Sequence, residues 1–162
     1  MYDDKFMRRA IEISRSALDT PGNMPFGAVV VLDGKIVGEG LNLSGSTFDP
    51  TSHGETEAIR DACKTLRTTD LTGAELYTSC EPCALCVAAM HLAHVSKLYY
   101  AASLDQSRHS LAGARKAIDT VALRAECAER LGGARMAAEQ KLDGEAVSVL
   151  DAWAAKRNSG AL

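Results

Sequence analysis

The sequence predicts an α/β protein in three layers: a mixed five-stranded sheet covered by helices on its faces. Three observations carry this. An apolar, β-branched run at residues 26–32 is followed at once by Asp33-Gly34, a dipeptide suited to the tight turn of a hairpin. Downstream, short strand-like runs alternate with stretches of helical periodicity, as in sheets with helices packed on their faces. No repeat, linker or low-complexity tract interrupts the 162 residues, so the chain reads as a single domain with a sizeable core.

Each element has its own signal. Residues 3–18 place Phe6, Ala10, Ile13 and Ala17 on one helical stripe, which Pro21-Gly22 ends. The hairpin joins strands at 26–32 and 35–41. Residues 42–52 are polar, contain Gly45 and Pro50, and read as a loop. Residues 53–66 carry Ala58, Ala62 and Leu66 in helical step. A strand at 74–79 leads to a helix at 82–94, with Pro82 in the first turn, where its missing N–H is harmless. Residues 97–102 form another strand, and 108–131 are largely helical with Gly113 as a break. A fifth, weaker strand is expected at 135–141, and Asp143 suits the cap of a last helix to residue 156.

Chemistry concentrates in two segments, His53-Gly54-Glu55 and Glu81-Pro82-Cys83-Ala84-Leu85-Cys86. One imidazole and a Cys-x-x-Cys pair make three zinc ligands, leaving a fourth position open. Zinc brings the pKa of its water to about 7. Two thiolates neutralise the ion's formal charge and temper its acidity, so a carboxylate is needed to help take the proton. Glu55, two residues past the histidine, is placed to carry protons rather than to bind metal. Cys83 and Cys86 lie on one face of a helix start, where the dipole favours thiolates. The plainer reading of Glu55 is a first-turn carboxylate favoured by the same dipole; both roles are compatible. A closed structural zinc site would recruit Cys80, but that residue lies beyond Glu81-Pro82 at a strand end, which favours burial. Cys63 and Cys127 read as packing residues.

Composition narrows the class. With 46% hydrophobic and 24% charged residues and a mean hydropathy of −0.08, the chain reads as soluble and globular. Its apolar runs are too short to span a bilayer, and its charged first ten residues lack a signal-peptide core. Five cysteines, an odd number, suit a reduced cytoplasmic protein better than a disulfide scaffold. A net charge of −3 and a pI near 5.8 disfavour a nucleic-acid partner, which needs a basic face.

His-x-Glu followed by Pro-Cys-x-x-Cys is the pattern of zinc nucleobase deaminases. The chain resembles the cytidine-deaminase-like superfamily, in the branch holding guanine deaminase, fungal cytosine deaminase and the tRNA adenosine deaminases. The resemblance runs through Pro25-Phe26-Gly27-Ala28-Val29-Val30, Gly38-Glu39-Gly40-Leu41-Asn42, Asp49-Pro50-Thr51-Ser52-His53-Gly54-Glu55 and Leu76-Tyr77-Thr78-Ser79-Cys80-Glu81-Pro82-Cys83, and fades after Asp105. Its wording is nearest to guanine deaminase. The resemblance implies that Asn42 hydrogen-bonds the substrate ring, that Phe26 walls the pocket and that the backbone N–H of Gly54 faces the base. It further implies a free nucleobase or amino-heterocycle as partner, and a homodimer. Gly54, however, stands where guanine deaminases usually carry alanine, and matches fungal cytosine deaminases. Ser110-Leu111-Ala112-Gly113 lies near the place of a Phe-Asp-Asp run in guanine-specific members, and the tail Ser159-Gly160-Ala161-Leu162 lacks a terminal aromatic. Guanine, cytosine, isocytosine and aminotriazines all stay open as substrates. The alternatives are a tRNA adenosine deaminase, a nucleoside deaminase and a non-catalytic zinc module.

Overall fold

Asp33 and Gly34 both adopt positive φ, 50° and 72°, the requirement of the hairpin turn that matches strand twist. The turn joins β1 (Met24–Leu32) to β2 (Lys35–Asn42) in antiparallel register. The structure, a computed structural model, describes residues 2–110, 120–128, 141–143, 145, 147 and 148. β3 (Glu75–Cys80) pairs antiparallel with β1, and β4 (Lys97–Ala102) pairs parallel with β3. The sheet is therefore mixed, in the order β2-β1-β3-β4. Four strands lie among the described residues; of the fifth expected strand, residues 135–140 fall outside them and Lys141 is in no strand.

Alternation along the strands sorts side chains onto two faces. Val29, Val31 and Tyr77 pack with Phe6 and Met7 of α1 (Asp4–Arg15). Ala28, Val30 and Leu76 pack on the opposite face with Ala58, Ile59 and Ala62 of α2 (Gly54–Leu66) and Met90 of α3 (Ala84–Leu92). Helices on both faces give the three layers the sequence predicts. Gly40 lets α2 lie directly on β2, for a Cβ there would sit 2.1 Å from the carbonyl oxygen of Gly54 and 2.4 Å from the amide of Ala58.

Several helix boundaries differ from expectation. The first helix ends as α at Arg15 and tightens into a 3-10 turn over Ser16–Asp19. The hydroxyls of Ser14 and Ser16 there bond to the carbonyls of Ile11 and Ile13, a local competitor to the regular ladder. The helix expected from 108 begins earlier, as α4 (Leu104–Ser110); residues 111–119 lie outside the described set, and α5 spans Thr120–Ala128. The chain forms two compact units, Met1–Thr120 and Val121–Leu162. The sheet and α1–α4 belong to the first, and α5 beyond Thr120 to the second. Of the last expected helix, Asp143, Glu145, Val147 and Ser148 are helical, and 149–156 lie outside the described residues.

Candidate active site

The loop after β2 folds back on itself before α2 begins. Leu43 N–H donates to Ser52 O at 3.0 Å, so the backbone carrying Asn42 runs beside the backbone carrying His53. His53 is extended (φ −87°, ψ 157°) and serves as the N-cap of α2, so the helix starts at Gly54, one residue later than expected. Its N–H is taken by Thr56 Oγ1 at 3.0 Å, and the Thr56 hydroxyl donates to Thr51 O at 2.6 Å. These bonds fix the direction from which the imidazole enters. Gly54 lies against β1, where a Cβ would stand 2.5 Å from Phe26 O.

The second segment starts α3. The helix begins at Ala84, not at Pro82, and Cys83 is its extended N-cap (φ −76°, ψ 174°). The delay has a cause in the neighbouring strand. Glu81 N–H donates to Ala102 O at 2.7 Å, and Leu104 N–H donates to Glu81 Oε2 at 3.2 Å. Glu81-Pro82 is thus held along the end of β4, and helical geometry starts only after it. Cys83 at the cap and Cys86 in the first turn bring their Sγ atoms to 3.7 Å from each other.

His53 Nδ1 lies 3.5 Å from each of these sulfurs. A tetrahedral zinc with bonds of about 2.3 Å to sulfur and about 2.0–2.1 Å to nitrogen requires ligand separations of roughly 3.5–3.8 Å. The three side chains meet that requirement, and together they form a group able to hold a metal ion. The contact between the two sulfurs is the main cause that holds Cys83 down at about 4, and the same contact, with burial, pushes Cys86 far above the usual thiol range. A dication removes the basis of that asymmetry, because ligation needs both as thiolates.

Glu55 stands beside this group, 5% exposed. Its Oε2 is 3.3 Å from Cys86 Sγ and its Oε1 is 3.2 Å from Thr78 Oγ1. Burial is the main cause that raises its carboxyl above the ordinary range. Asn42, the last residue of β2, is 2% exposed. Its Oδ1 accepts from Ser44 N–H at 3.2 Å and from the Ser44 hydroxyl at 2.8 Å. Since only the carbonyl oxygen can accept from that N–H, the amide nitrogen is the end left to donate. It makes no hydrogen bond among the described residues. Phe26 is half-buried in β1, and Gly54 is buried at the start of α2.

Of the seven residues the sequence singles out, four converge through side chains: His53, Glu55, Cys83 and Cys86. Asn42 adjoins them through the backbone pairing of Leu43 with Ser52, and Phe26 through its contact with Gly54. Cys80 is buried, as expected. Two polar partners escape sequence reasoning: Thr78, which holds Glu55, and Ser44, which orients Asn42. The available signal for Thr78 was a hydroxyl two residues from Leu76 in a strand whose alternate positions are buried. Such a group needs a partner.

A three-ligand group able to hold a metal ion, beside a buried carboxyl at strand ends and helix starts of an α/β sheet, is an arrangement suited to metal-assisted hydrolysis. Residues 1–102 match the model of the cytidine and deoxycytidylate deaminase zinc-binding region, and the chain belongs to that family. Zinc is the family's cofactor and hydrolytic C–N deamination its reaction. The chain is 42% identical over 102 residues to guanine deaminase of Bacillus subtilis, covering 63% of this chain and 65% of that protein. It is 41% identical over 97 residues to the tRNA-specific adenosine deaminase of Agrobacterium fabrum, covering 60% and 63%. The matched segment thus spans a little under two-thirds of these curated relatives. In three dimensions the X-ray structure of Bacillus subtilis guanine deaminase superposes with a TM-score of 0.82 at 33% identity over 94% of both chains. A structure in complex with 2,6-diaminopurine superposes with a TM-score of 0.60 at 26% identity, over 74% of this chain and 68% of that one. Among the described residues no helix is long and apolar enough to cross a membrane.

Proposed function

We propose that this chain is a zinc-dependent hydrolytic deaminase of a free nucleobase, guanine first, with cytosine, isocytosine and aminotriazines as further candidates. The carrying observation is the meeting of His53 Nδ1 and two sulfurs at 3.5 Å with the buried Glu55 carboxyl 3.3 Å from Cys86 Sγ. His53, Cys83 and Cys86 hold the zinc, which when bound acts as a Lewis acid and acidifies water. Glu55 takes one proton of the attacking water and passes it to a ring nitrogen; it then takes the proton of the newly added hydroxyl and delivers it to the departing amine. A carbonyl replaces the C–N bond and ammonia leaves. A buried carboxyl with a raised proton affinity suits a group that must both accept and return a proton near neutral pH. Asn42 donates its amide N–H to a ring acceptor, Phe26 walls the pocket and Gly54 N–H faces the base.

The similarity to guanine deaminase over 94% of the chain supports guanine. The 41% identity to a tRNA-specific adenosine deaminase supports the second reading, against which stands a net charge of −3. The proposal takes all 162 residues as one deaminase domain, homodimeric and cytoplasmic; five free cysteines suit a reducing compartment. Ammonia release against guanine, cytosine, isocytosine, adenine, aminotriazines and the matching ribosides tests it. Guanine is expected to give the highest kcat/KM, and each free base to exceed its riboside. A consistent preference for ribosides overturns the free-base reading.

A further inference from the structure

We propose that Thr78 is the positioning residue of Glu55, holding one carboxyl oxygen so that the other is presented to the reacting groups. The inference rests on the reading of Glu55 as the proton carrier. Thr78 lies in β3 opposite Ala28 of β1, fully buried on the face that carries α2. Its hydroxyl has one proton and two acceptors within reach: Glu55 Oε1 at 3.2 Å and Gly27 O at 3.4 Å. The carboxylate is nearer and its charge strengthens the bond, so it takes the proton. Oε1 is thereby engaged on the strand side. Oε2 faces the other way, 3.3 Å from Cys86 Sγ, on the side of the three metal-ligating groups. A Glu side chain has three rotatable bonds; the Glu55 backbone N–H and Cys86 also bond its carboxyl, but neither lies on the sheet. The bond to a central strand adds a fixed anchor on Oε1 and keeps Oε2 aimed at the metal-ligating groups.

Three variants test this: Thr78→Val, which keeps the branched shape without the hydroxyl; Thr78→Ser, which keeps the hydroxyl; and Thr78→Val combined with Glu55→Gln. On the best substrate of the base panel, Thr78→Val is expected to lower kcat about 10- to 100-fold. KM and zinc content are expected to stay within roughly twofold of the parent, because only proton transfer in the transition state is impaired. Thr78→Ser is expected to recover kcat to within about threefold, since it restores the donor. In the Glu55→Gln background, Thr78→Val is expected to change kcat no further, since its effect passes through that carboxyl. Crystal structures of the zinc-loaded parent and variants give a readout independent of turnover. Glu55 is expected in one conformer bonded to residue 78 in the parent and in Thr78→Ser, and displaced or split in Thr78→Val. If Thr78→Val does not fold, Thr78→Ala replaces it with the same expectations. Unchanged kcat in the Val variant, equal damage from Ser and Val, or an unmoved Glu55 overturns the proposal. A parent that deaminates nothing sinks the functional reading instead, and the crystal structures then decide the role of Thr78 alone.

Discussion

Glu55 and Cys83 face the same small space and do different work, and single substitutions separate them. Glu55→Gln keeps the size of the side chain and loses the ability to accept a proton. Zinc content and substrate affinity are expected to hold while turnover falls by at least the 10²–10⁴-fold typical of lost acid–base catalysis, read by metal analysis and steady-state kinetics. Cys83→Ala removes one of two sulfurs that lie 3.5 Å from the same imidazole nitrogen, so zinc and activity are expected to vanish together. Full zinc retention in that variant would reject Cys83 as a ligand. Asn42→Ala deletes a donor from a buried position, and kcat/KM on good substrates is expected to drop roughly 10–200-fold. His53, Glu55, Cys83 and Cys86 were legible in the sequence because zinc chemistry dictates their types and spacing, whereas Asn42 came only from the family resemblance. Thr78 and Ser44 were not, because their roles come from contacts across 23 residues to Glu55 and through a local turn to Asn42, which no spacing rule encodes.

At the scale of elements, His53 caps α2 and Cys83 caps α3, so a zinc held by them would tie two helix starts together. Those helices share one apolar cluster with the central strands. Removing the metal with a strong chelator is therefore expected to lower Tm, and zinc but not magnesium to restore it, since two sulfurs and an imidazole suit the softer ion. Differential scanning calorimetry reads both steps, and a Tm indifferent to chelation would argue against this stapling. The elements themselves were largely readable. The hairpin rested on Asp33-Gly34, and both residues take the positive φ such a turn needs. The alternation of strands and helices gave the mixed sheet. Helix edges were less so: α3 starts after Pro82 because Glu81 is bonded to β4, and the first helix ends in a 3-10 turn beside two serine hydroxyls. Both edges depend on partners that periodicity does not record. The close seat of α2 on β2 makes a further expectation concrete. Gly40→Ala places a methyl group 2.1 Å from Gly54 O, and since overpacking costs about 1–3 kcal/mol, Tm is expected to fall and zinc affinity to weaken as α2 shifts.

The molecule as a whole carries 18 basic and 21 acidic residues, a net charge of −3 with neutral histidines. That balance bears on one ambiguity the site leaves, because a free base and a tRNA adenosine would meet the same three metal-holding residues and the same carboxyl. What separates them is the surface around the pocket. A protein that neutralises several phosphates with Lys and Arg gains affinity by releasing counterions, and that gain falls steeply with salt. An acidic chain with no surplus of basic residues has little of that gain to draw on. Binding to a whole tRNA is therefore expected to be no tighter than the order of 10⁻⁴–10⁻⁶ M of non-specific contacts at physiological salt. No inosine is expected in an anticodon loop under conditions where guanine is turned over. The measurement is a filter-binding titration across salt concentrations alongside nucleoside analysis of the treated tRNA. Robust inosine formation with a steep salt dependence of binding would mean that basic side chains are gathered on one face despite the acidic total. The chain would then join the tRNA-specific branch to which it is 41% identical over 97 residues.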